Sequence, residues 1–304
     1  MTGGTAATTQ FAETDQAFPL TGLPAGQSPS GTSHRWDSGP SGHVEAVGTI
    51  TSTGHVESAG NYTGRYPNTY TITITTAGNV GVARFSWVDT LTGTGTNILT
   101  GASVALDLGI TLAFADGLPA PSFALNNQWR IYVRPDIVAP TNATMAARTT
   151  NGKVMCSTCH DEHSQLQEPF DRTAPAYAGA GTGNGRHDQR IANNTNQMCV
   201  DCHSPRNVTT ATAGSHPVNV SNPVGDYKAP TTLPLDKTTN KIQCMTCHTL
   251  HYSPAADGSL ARLSNINALC TDCHQNCDVV NGSHFKATTG ALWPGGQYGS
   301  TYPP

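Results

Sequence analysis

Alternating polar and apolar residues predict β-structure in the first half of the chain. Along Thr69–Thr76 the side chains alternate strictly, which is the period-two pattern of a half-buried strand. Four further segments are rich in strand-forming residues: Val80–Val88, Ser103–Leu106, Ile110–Ala115 and Trp129–Val133. Turn residues separate them at Thr92–Thr96 and Asp116–Gly117. We therefore predict an all-β, sandwich-like surface domain over residues 44–135.

The segments on either side of this domain lack such a pattern. Residues 1–43 are Gly-, Thr-, Pro- and Ser-rich without periodicity and indicate an extended arm. Residues 136–148 begin beside a proline and are predicted to be a linker. Residues 149–304 have too few apolar side chains to bury a core of their own. For this last region we predict loops with short helices.

Composition and charge exclude several classes of protein. Charged residues make up 12% of the chain, against about 25% in typical domains. The net charge is -4, so the basic excess of a nucleic-acid-binding protein is missing. No run of 18 apolar residues occurs, and no membrane-spanning helix is predicted. The N-terminus shows no signal peptide, and we expect a leader to lie outside this numbering.

The cysteines identify the chemistry of the second half. Eight of the 9 cysteines form four C-x-x-C-H motifs, the attachment sequence of c-type haem. The cysteine pairs are Cys156 and Cys159, Cys199 and Cys202, Cys244 and Cys247, and Cys270 and Cys273. The following histidines, His160, His203, His248 and His274, are the predicted proximal iron ligands. In a helical turn, residues three apart share one side, so both thiols can reach one porphyrin while the histidine approaches its iron.

Zinc ribbons and redox dithiols are the competing interpretations. A zinc ribbon pairs two C-x-x-C knuckles about 15–20 residues apart. Here 39 residues separate Cys159 from Cys199, and 22 separate Cys247 from Cys270. Zinc also leaves the histidine after every second cysteine unexplained. The ninth cysteine, Cys277, is interpreted as a buried thiol or an intermolecular contact.

Histidines outside the motifs can supply the second axial ligand of each iron. His163 and His251 each follow a proximal histidine by three residues. They point to the same side as that histidine, so we expect them to reach a neighbouring iron. His216 follows the second motif in a Gly-Ser-His sequence and is the third predicted distal ligand. The candidates for the fourth iron are His284, His34 and His187.

The order C-x-x-C-H-x-x-H, C-x-x-C-H, Gly-Ser-His occurs twice, which indicates an internal duplication of residues 156–216 and 244–284. These paired motifs resemble the doubled-CxxCH multihaem cytochromes. Within them, the chain is similar to the extracellular tetrahaem cytochrome nanowire subunits, the OmcE-like group. The resemblance covers roughly residues 149–304. The long cysteine-free region before the first motif departs from that group.

The resemblance implies four haem c groups in close pairs, assembled into a helical homopolymer. It also implies one distal histidine donated by the adjacent subunit from the segment before the first haem, where this chain has His34. Upstream redox cytochromes and extracellular acceptors are the implied partners.

Enough histidines are present to give every iron a second axial ligand, which favours electron transfer over catalysis. Haem is attached to such motifs after export, so we expect an extracellular or cell-surface protein. A monomeric periplasmic or cell-surface tetrahaem carrier is the alternative, and a reductase or sensor with one open haem is a third hypothesis.

Overall fold

The computed structural model describes residues 12–14, 32–35, 37–161, 189–193, 195–209, 216–221, 228–236, 239–255 and 260–274. The chain divides into two compact units. One contains residues 37–155, and the other contains residues 1–36 together with 156–304. Most of the regular structure is antiparallel β-sheet, with a few short helices.

The elements are short and lie mainly in the first unit. The strands are β1 (Ala12–Thr14), β2 (Thr32–His34), β3 (His43–Val47), β4 (His55–Gly60), β5 (Asn68–Thr76), β6 (Arg84–Asp89), β7 (Thr94–Leu99), β8 (Val104–Ala105), β9 (Ile110–Ala115), β10 (Gln128–Val133), β11 (Val220–Ser221) and β12 (Lys241–Ile242). The helices are α1 (Ala143–Ala146), α2 (Cys156–Cys159), α3 (Gln197–Cys202), α4 (Cys244–Cys247) and α5 (Ile266–Thr271), with a 3-10 turn at Ser204–Arg206.

Two antiparallel sheets form the unit of residues 37–155. The larger sheet has the strand order β3-β10-β5-β6-β7, and the smaller has the order β4-β9-β8. Alternate residues of β5 are buried, as its sequence pattern predicts. Phe85 of the larger sheet meets Phe114 of the smaller sheet with ring centroids 5.0 Å apart. The two sheets therefore share one apolar core, and the predicted all-β fold of this region is confirmed.

Local strand predictions were less accurate than the fold class. The predicted strand Val80–Val88 begins only at Arg84, because residues 78–82 form a turn. The predicted turn at Thr92–Thr96 is wrong, since β7 begins at Thr94. The turn lies at Asp89–Gly93 instead, where the Asp89 carboxylate accepts hydrogen bonds from the Leu91 and Gly93 N–H groups. Strands β3 and β4 were not individually predicted.

Hydrogen bonds between the first and last residues of the β unit define its limits at residues 37 and 155. The Asp37 N–H donates to the Val154 carbonyl at 2.7 Å, and the Val154 N–H donates to Ser38 at 2.8 Å. Burial alone would raise the pKa of Asp37, but a hydrogen bond from His43 and the charge of Lys153 outweigh it and hold the pKa below 3.8. These limits lie outside the predicted range of 44–135, because β-structure beyond the core strands closes the unit.

Short strands and motif helices make up the described parts of the other unit. Strand β1 pairs with β2, and β11 pairs with β12, both antiparallel. The His34 N–H donates to the Leu250 carbonyl at 2.7 Å, which ties β2 to the segment after the third motif. Strand β12 leads through Gln243 directly into the third motif. The arm thus belongs with the motif-bearing unit.

Candidate haem sites at the CxxCH motifs

Every C-x-x-C-H motif has the same backbone geometry. The first cysteine of each motif lies on one of the helices α2 to α5. The N–H of each motif histidine donates to the carbonyl of the first cysteine, at 3.0 Å for His160, 2.9 Å for His203, 3.0 Å for His248 and 3.0 Å for His274. This helical bond brings the histidine back beneath its cysteine pair. None of the eight motif cysteines forms a disulfide bond.

Their surroundings shift the pKa of several of these thiols. Burial raises the pKa of Cys159 and of Cys247 to about 11. Burial and the charge of Asp201 raise the pKa of Cys202 to about 12. By contrast, a hydrogen bond with the Cys244 thiol lowers the pKa of Cys199. Among the residues that the structure describes, no group of three or more His, Cys, Asp or Glu side chains is arranged to hold a metal ion.

Three of the four motif histidines lie opposite a histidine from elsewhere in the chain. The ring centroids are 6.2 Å apart in each pair. The pairs are His160 with His251, His203 with His34, and His274 with His216. None of these partners comes from the motif it faces, as the sequence analysis predicted for His251. The structure therefore brings together His216, His251 and His34 with three of the predicted proximal ligands.

The pair distance fits two axial ligands on one iron. A metal–imidazole bond of about 2.0 Å on each side of an iron places the two ring centroids about 6 Å apart. Ordinary ring packing spans roughly 4.5–7 Å, so one such pair alone is weak support. Three pairs at one distance, each joining a motif histidine to a non-motif histidine, fit bis-histidine ligation better than ordinary packing.

Hydrogen bonds orient two of the distal rings. The Nδ1 of His34 lies 3.0 Å from the Arg35 carbonyl, and the Nδ1 of His216 lies 2.9 Å from the Pro217 carbonyl. A carbonyl oxygen can only accept, so each Nδ1 carries a proton, and Nε2 is the nitrogen whose lone pair a neutral ring offers to a metal. A neutral imidazole with Nδ1–H bonded to a carbonyl is the usual state of a histidine metal ligand. Burial lowers the pKa of His34, which also favours its neutral form.

Four of the predicted residues lie outside the part of the chain that the structure describes: His163, His187, His284 and Cys277. The partner of His248 thus stays a sequence prediction.

Two arginines that the sequence analysis missed clamp the first and third motifs. The Arg190 N–H donates to Cys159 and the Arg262 N–H to Cys247, both at 2.8 Å. The Arg190 guanidinium donates to the Ser157 carbonyl at 2.9 Å and to the His160 carbonyl at 2.8 Å.

Arg262 donates to the Met245 carbonyl at 2.8 Å and to the His248 carbonyl at 3.1 Å. Each arginine thus bonds the carbonyls of the same three motif positions, namely the residue after the first cysteine, the second cysteine and the histidine. The first clamp also includes an ion pair of 3.2 Å between Arg190 and Asp161. These matched contacts support the internal duplication.

A short sequence signal accompanies the clamps. Arg190-Ile-Ala-Asn193 precedes the second motif, and Arg262-Leu-Ser-Asn265 precedes the fourth. Asn193 accepts from the Met198 N–H at 3.1 Å, and Asn265 accepts from the Ala268 N–H at 3.3 Å, at the starts of α3 and α5. Arg190 lies 9 residues before Cys199 and Arg262 lies 8 before Cys270, but they follow the clamped cysteines Cys159 and Cys247 by 31 and 15 residues. This unequal spacing to the clamped motifs is why the clamps were not found from the motifs.

The fourth motif is held by the aspartate between its cysteines. The buried Asp272 carboxylate accepts from the Thr231 N–H and hydroxyl at 3.1 and 2.7 Å. It also accepts from the Thr232 and Leu233 N–H groups at 2.9 and 2.8 Å. Burial alone would raise the pKa of Asp272, but these hydrogen bonds outweigh it and lower the pKa. Asp201, at the same position of the second motif, is also buried.

Consecutive motifs lie close together in chain order. Cys159 lies close enough to Cys199 to affect its titration, and the Cys199 and Cys244 thiols share a hydrogen bond. Cys247 is likewise close to Cys270 and Cys273. Each motif therefore lies near the next, and the four form a series in chain order.

Buried polar atoms beside this series lack a protein partner. Asn196 accepts from the Cys244 N–H at 2.8 Å, which links the second and third motifs. Its Nδ2 atom is buried without a partner, as is the Nε2 atom of the neighbouring Gln243. Orphaned donors at these positions are what a bound group with acceptor oxygens, such as a haem propionate, would satisfy.

No family model, curated protein or solved structure matches the chain. Among the helices in the described parts of the chain, none is both long and apolar enough to span a membrane.

Proposed function

We propose that this protein transfers electrons through four covalently bound c-type haems, each held by two histidines. The observation that carries the proposal is the set of three histidine pairs at 6.2 Å, each built on a motif histidine. When bound, the haems supply irons that cycle between the ferric and ferrous states. The protein supplies attachment, ligands and spacing.

Each residue set has a separate task in this proposal. The eight motif cysteines form the thioether bonds, and His160, His203, His248 and His274 are the proximal ligands. His251, His34 and His216 are the distal ligands for the first, second and fourth motifs, respectively. For the third motif we retain His163, the predicted ligand that follows the first motif. With two imidazoles held to each bound iron, electron transfer would require no ligand change and no substrate site.

Two molecular forms fit this function, and each has its own support. The family resemblance implies a filament subunit at the cell surface, with His34 donated across the subunit boundary. The His34–His203 pair within one chain favours the monomeric carrier, because no neighbour is needed to complete that site. The close series of motifs serves both forms, since it provides a path for electrons from one end of the unit to the other.

Haem content and spin state test the redox proposal. The full-length chain is produced in a bacterium with c-type haem maturation, and haem is counted by pyridine haemochrome and intact mass. We expect four covalent haems per chain, low-spin electron paramagnetic resonance spectra and no carbon monoxide binding after reduction. A chain without covalent haem would refute the proposal. Stoichiometric carbon monoxide binding by the native protein would favour a reductase or sensor with an open iron.

Electron cryo-microscopy of material sheared from the native cells separates the two forms. Filaments with a continuous haem series support the filament subunit and show which chain supplies His34. Discrete particles with four six-coordinate haems support the carrier.

A further inference from the structure

We propose that Arg190 and Arg262 are positioning residues that raise the reduction potentials of the irons bound to His160 and His248. The proposal rests on the proposed function, because it concerns haems at these motifs. Neither arginine is expected to touch an iron ligand ring. Each acts on the peptide that carries the proximal histidine.

The first step of the argument is geometric. Helices α2 and α4 have only four residues, so their carbonyls have few partners within the helix. Each guanidinium joins one helical carbonyl, that of Ser157 or Met245, to the carbonyl of the following proximal histidine. The bond to the histidine carbonyl is 2.8 Å for Arg190 and 3.1 Å for Arg262. The planar fork of arginine can hold both carbonyls at once, whereas a lysine ammonium lacks that geometry. The clamp therefore restricts rotation of the peptide next to the proximal imidazole.

The second step is electrostatic. A ferric haem iron carries one more positive charge than a ferrous one, so a fixed positive charge nearby disfavours the ferric state. Partial burial strengthens the effect, and the Arg190 side chain is 10% exposed. At the first motif the Asp161 carboxylate, 3.2 Å from Arg190, offsets part of that charge. The third motif has Thr249 at the equivalent position, directly after its proximal histidine.

Charge and geometry can be separated by substitution. Arg262→Gln removes the charge, and Arg262→Lys keeps the charge but loses the fork. Asp161→Asn keeps the carbonyl bonds of both arginines and removes the negative charge that is paired with Arg190. Arg84→Gln is the matched control, because Arg84 donates to a single carbonyl, that of Asn97, in the β unit.

The measurements are haem content by intact mass, potentiometric titration of the four haems, and electron paramagnetic resonance. Arg262→Gln should lower one of the four potentials and leave the other three unchanged. Arg262→Lys should restore that potential but shift the g-values of one iron, because these depend on the angle between the two imidazole planes. Asp161→Asn should raise the potential of a different haem. Arg84→Gln should change none of them.

The outcomes distinguish this inference from the function on which it rests. A wild-type chain without covalent haem removes the proposed function, and the inference falls with it. Four haems with unchanged potentials and spectra in Arg262→Gln would refute the inference and leave the function intact. Should Arg262→Gln fail to assemble, an unchanged potential in Asp161→Asn would overturn the electrostatic step, and g-values matching wild type in Arg262→Lys would overturn the geometric one.

Discussion

His34→Ala is the sharpest test of the ligand assignment. The ring of His34 lies opposite His203, whereas its backbone N–H bonds the Leu250 carbonyl at 2.7 Å. Alanine keeps that backbone bond and the pairing of β1 with β2, so the arm should stay in place. The substitution therefore removes one imidazole without removing the segment that carries it.

The expected magnitude follows from the number of motifs. One of four irons loses its distal ligand, so one quarter of the low-spin ferric signal should become high-spin. The reduced variant should bind one carbon monoxide per chain, whereas the wild type should bind none. Added imidazole should restore the low-spin state, because the vacant position has the size of the lost ring. Optical titration with carbon monoxide and electron paramagnetic resonance measure both quantities.

His43→Ala is the matched control for this experiment. The Nδ1 of His43 lies 3.0 Å from the Asp37 carbonyl in the β unit, and we expect all four irons to stay low-spin without it. A His34→Ala protein with four low-spin haems and no carbon monoxide binding would show that His34 is not a ligand. If dilution of the wild type to monomers produced the same high-spin quarter, His34 would act between chains.

Three further predictions concern stability. Asp272→Asn places a side-chain NH2 group against the Leu233 N–H, which then loses its acceptor. We expect the free energy of unfolding to fall by about 2–4 kcal/mol, and the Leu233 N–H to exchange its hydrogen faster. Tyr70→Phe removes the 2.6 Å hydrogen bond to Asp107 and should cost about 1–2 kcal/mol in urea unfolding of the β unit. The folded pKa of Asp37 lies below 3.8, so its stabilisation is present above that pH and is lost as pH falls through the lowered pKa. In an acid-unfolding measurement, the Asp37→Asn variant should not show this pH-dependent loss of stability.

Sequence periodicity predicted the β fold because one face of each long strand is buried. Strand β5 shows the clearest alternation, and every second residue from Asn68 to Ile74 is buried. Strand β7 lies at the edge of its sheet and is mostly exposed, so its threonines and glycine carry no alternation and were mistaken for a turn. A pattern produced by burial can identify only the strands that are buried.

In the candidate site, the residues within a short motif could be predicted, whereas those brought together by long-range contacts could not. The motif cysteines and proximal histidines were predicted because their chemistry lies within five consecutive residues. Pairing His251 with His160, or His34 with His203, depends on contacts between distant segments, and sequence reasoning left the fourth ligand open among three histidines. The Arg190 and Arg262 clamps were missed for the same reason, since their bonds reach back to the preceding motif.

The two proposed distal ligands of the even motifs follow one rule. His34 and His216 each stand in a Ser-His dipeptide, each bonds the next carbonyl through Nδ1, and each faces the histidine of an even motif. His216 comes after the second motif and faces His274 of the fourth, so this proposed ligand precedes its motif in the chain. Residues 1–155 contain no C-x-x-C-H motif that such a donor could follow to reach the second motif. Under the proposed function the arm would fill that role with His34, in agreement with its place in the motif-bearing unit.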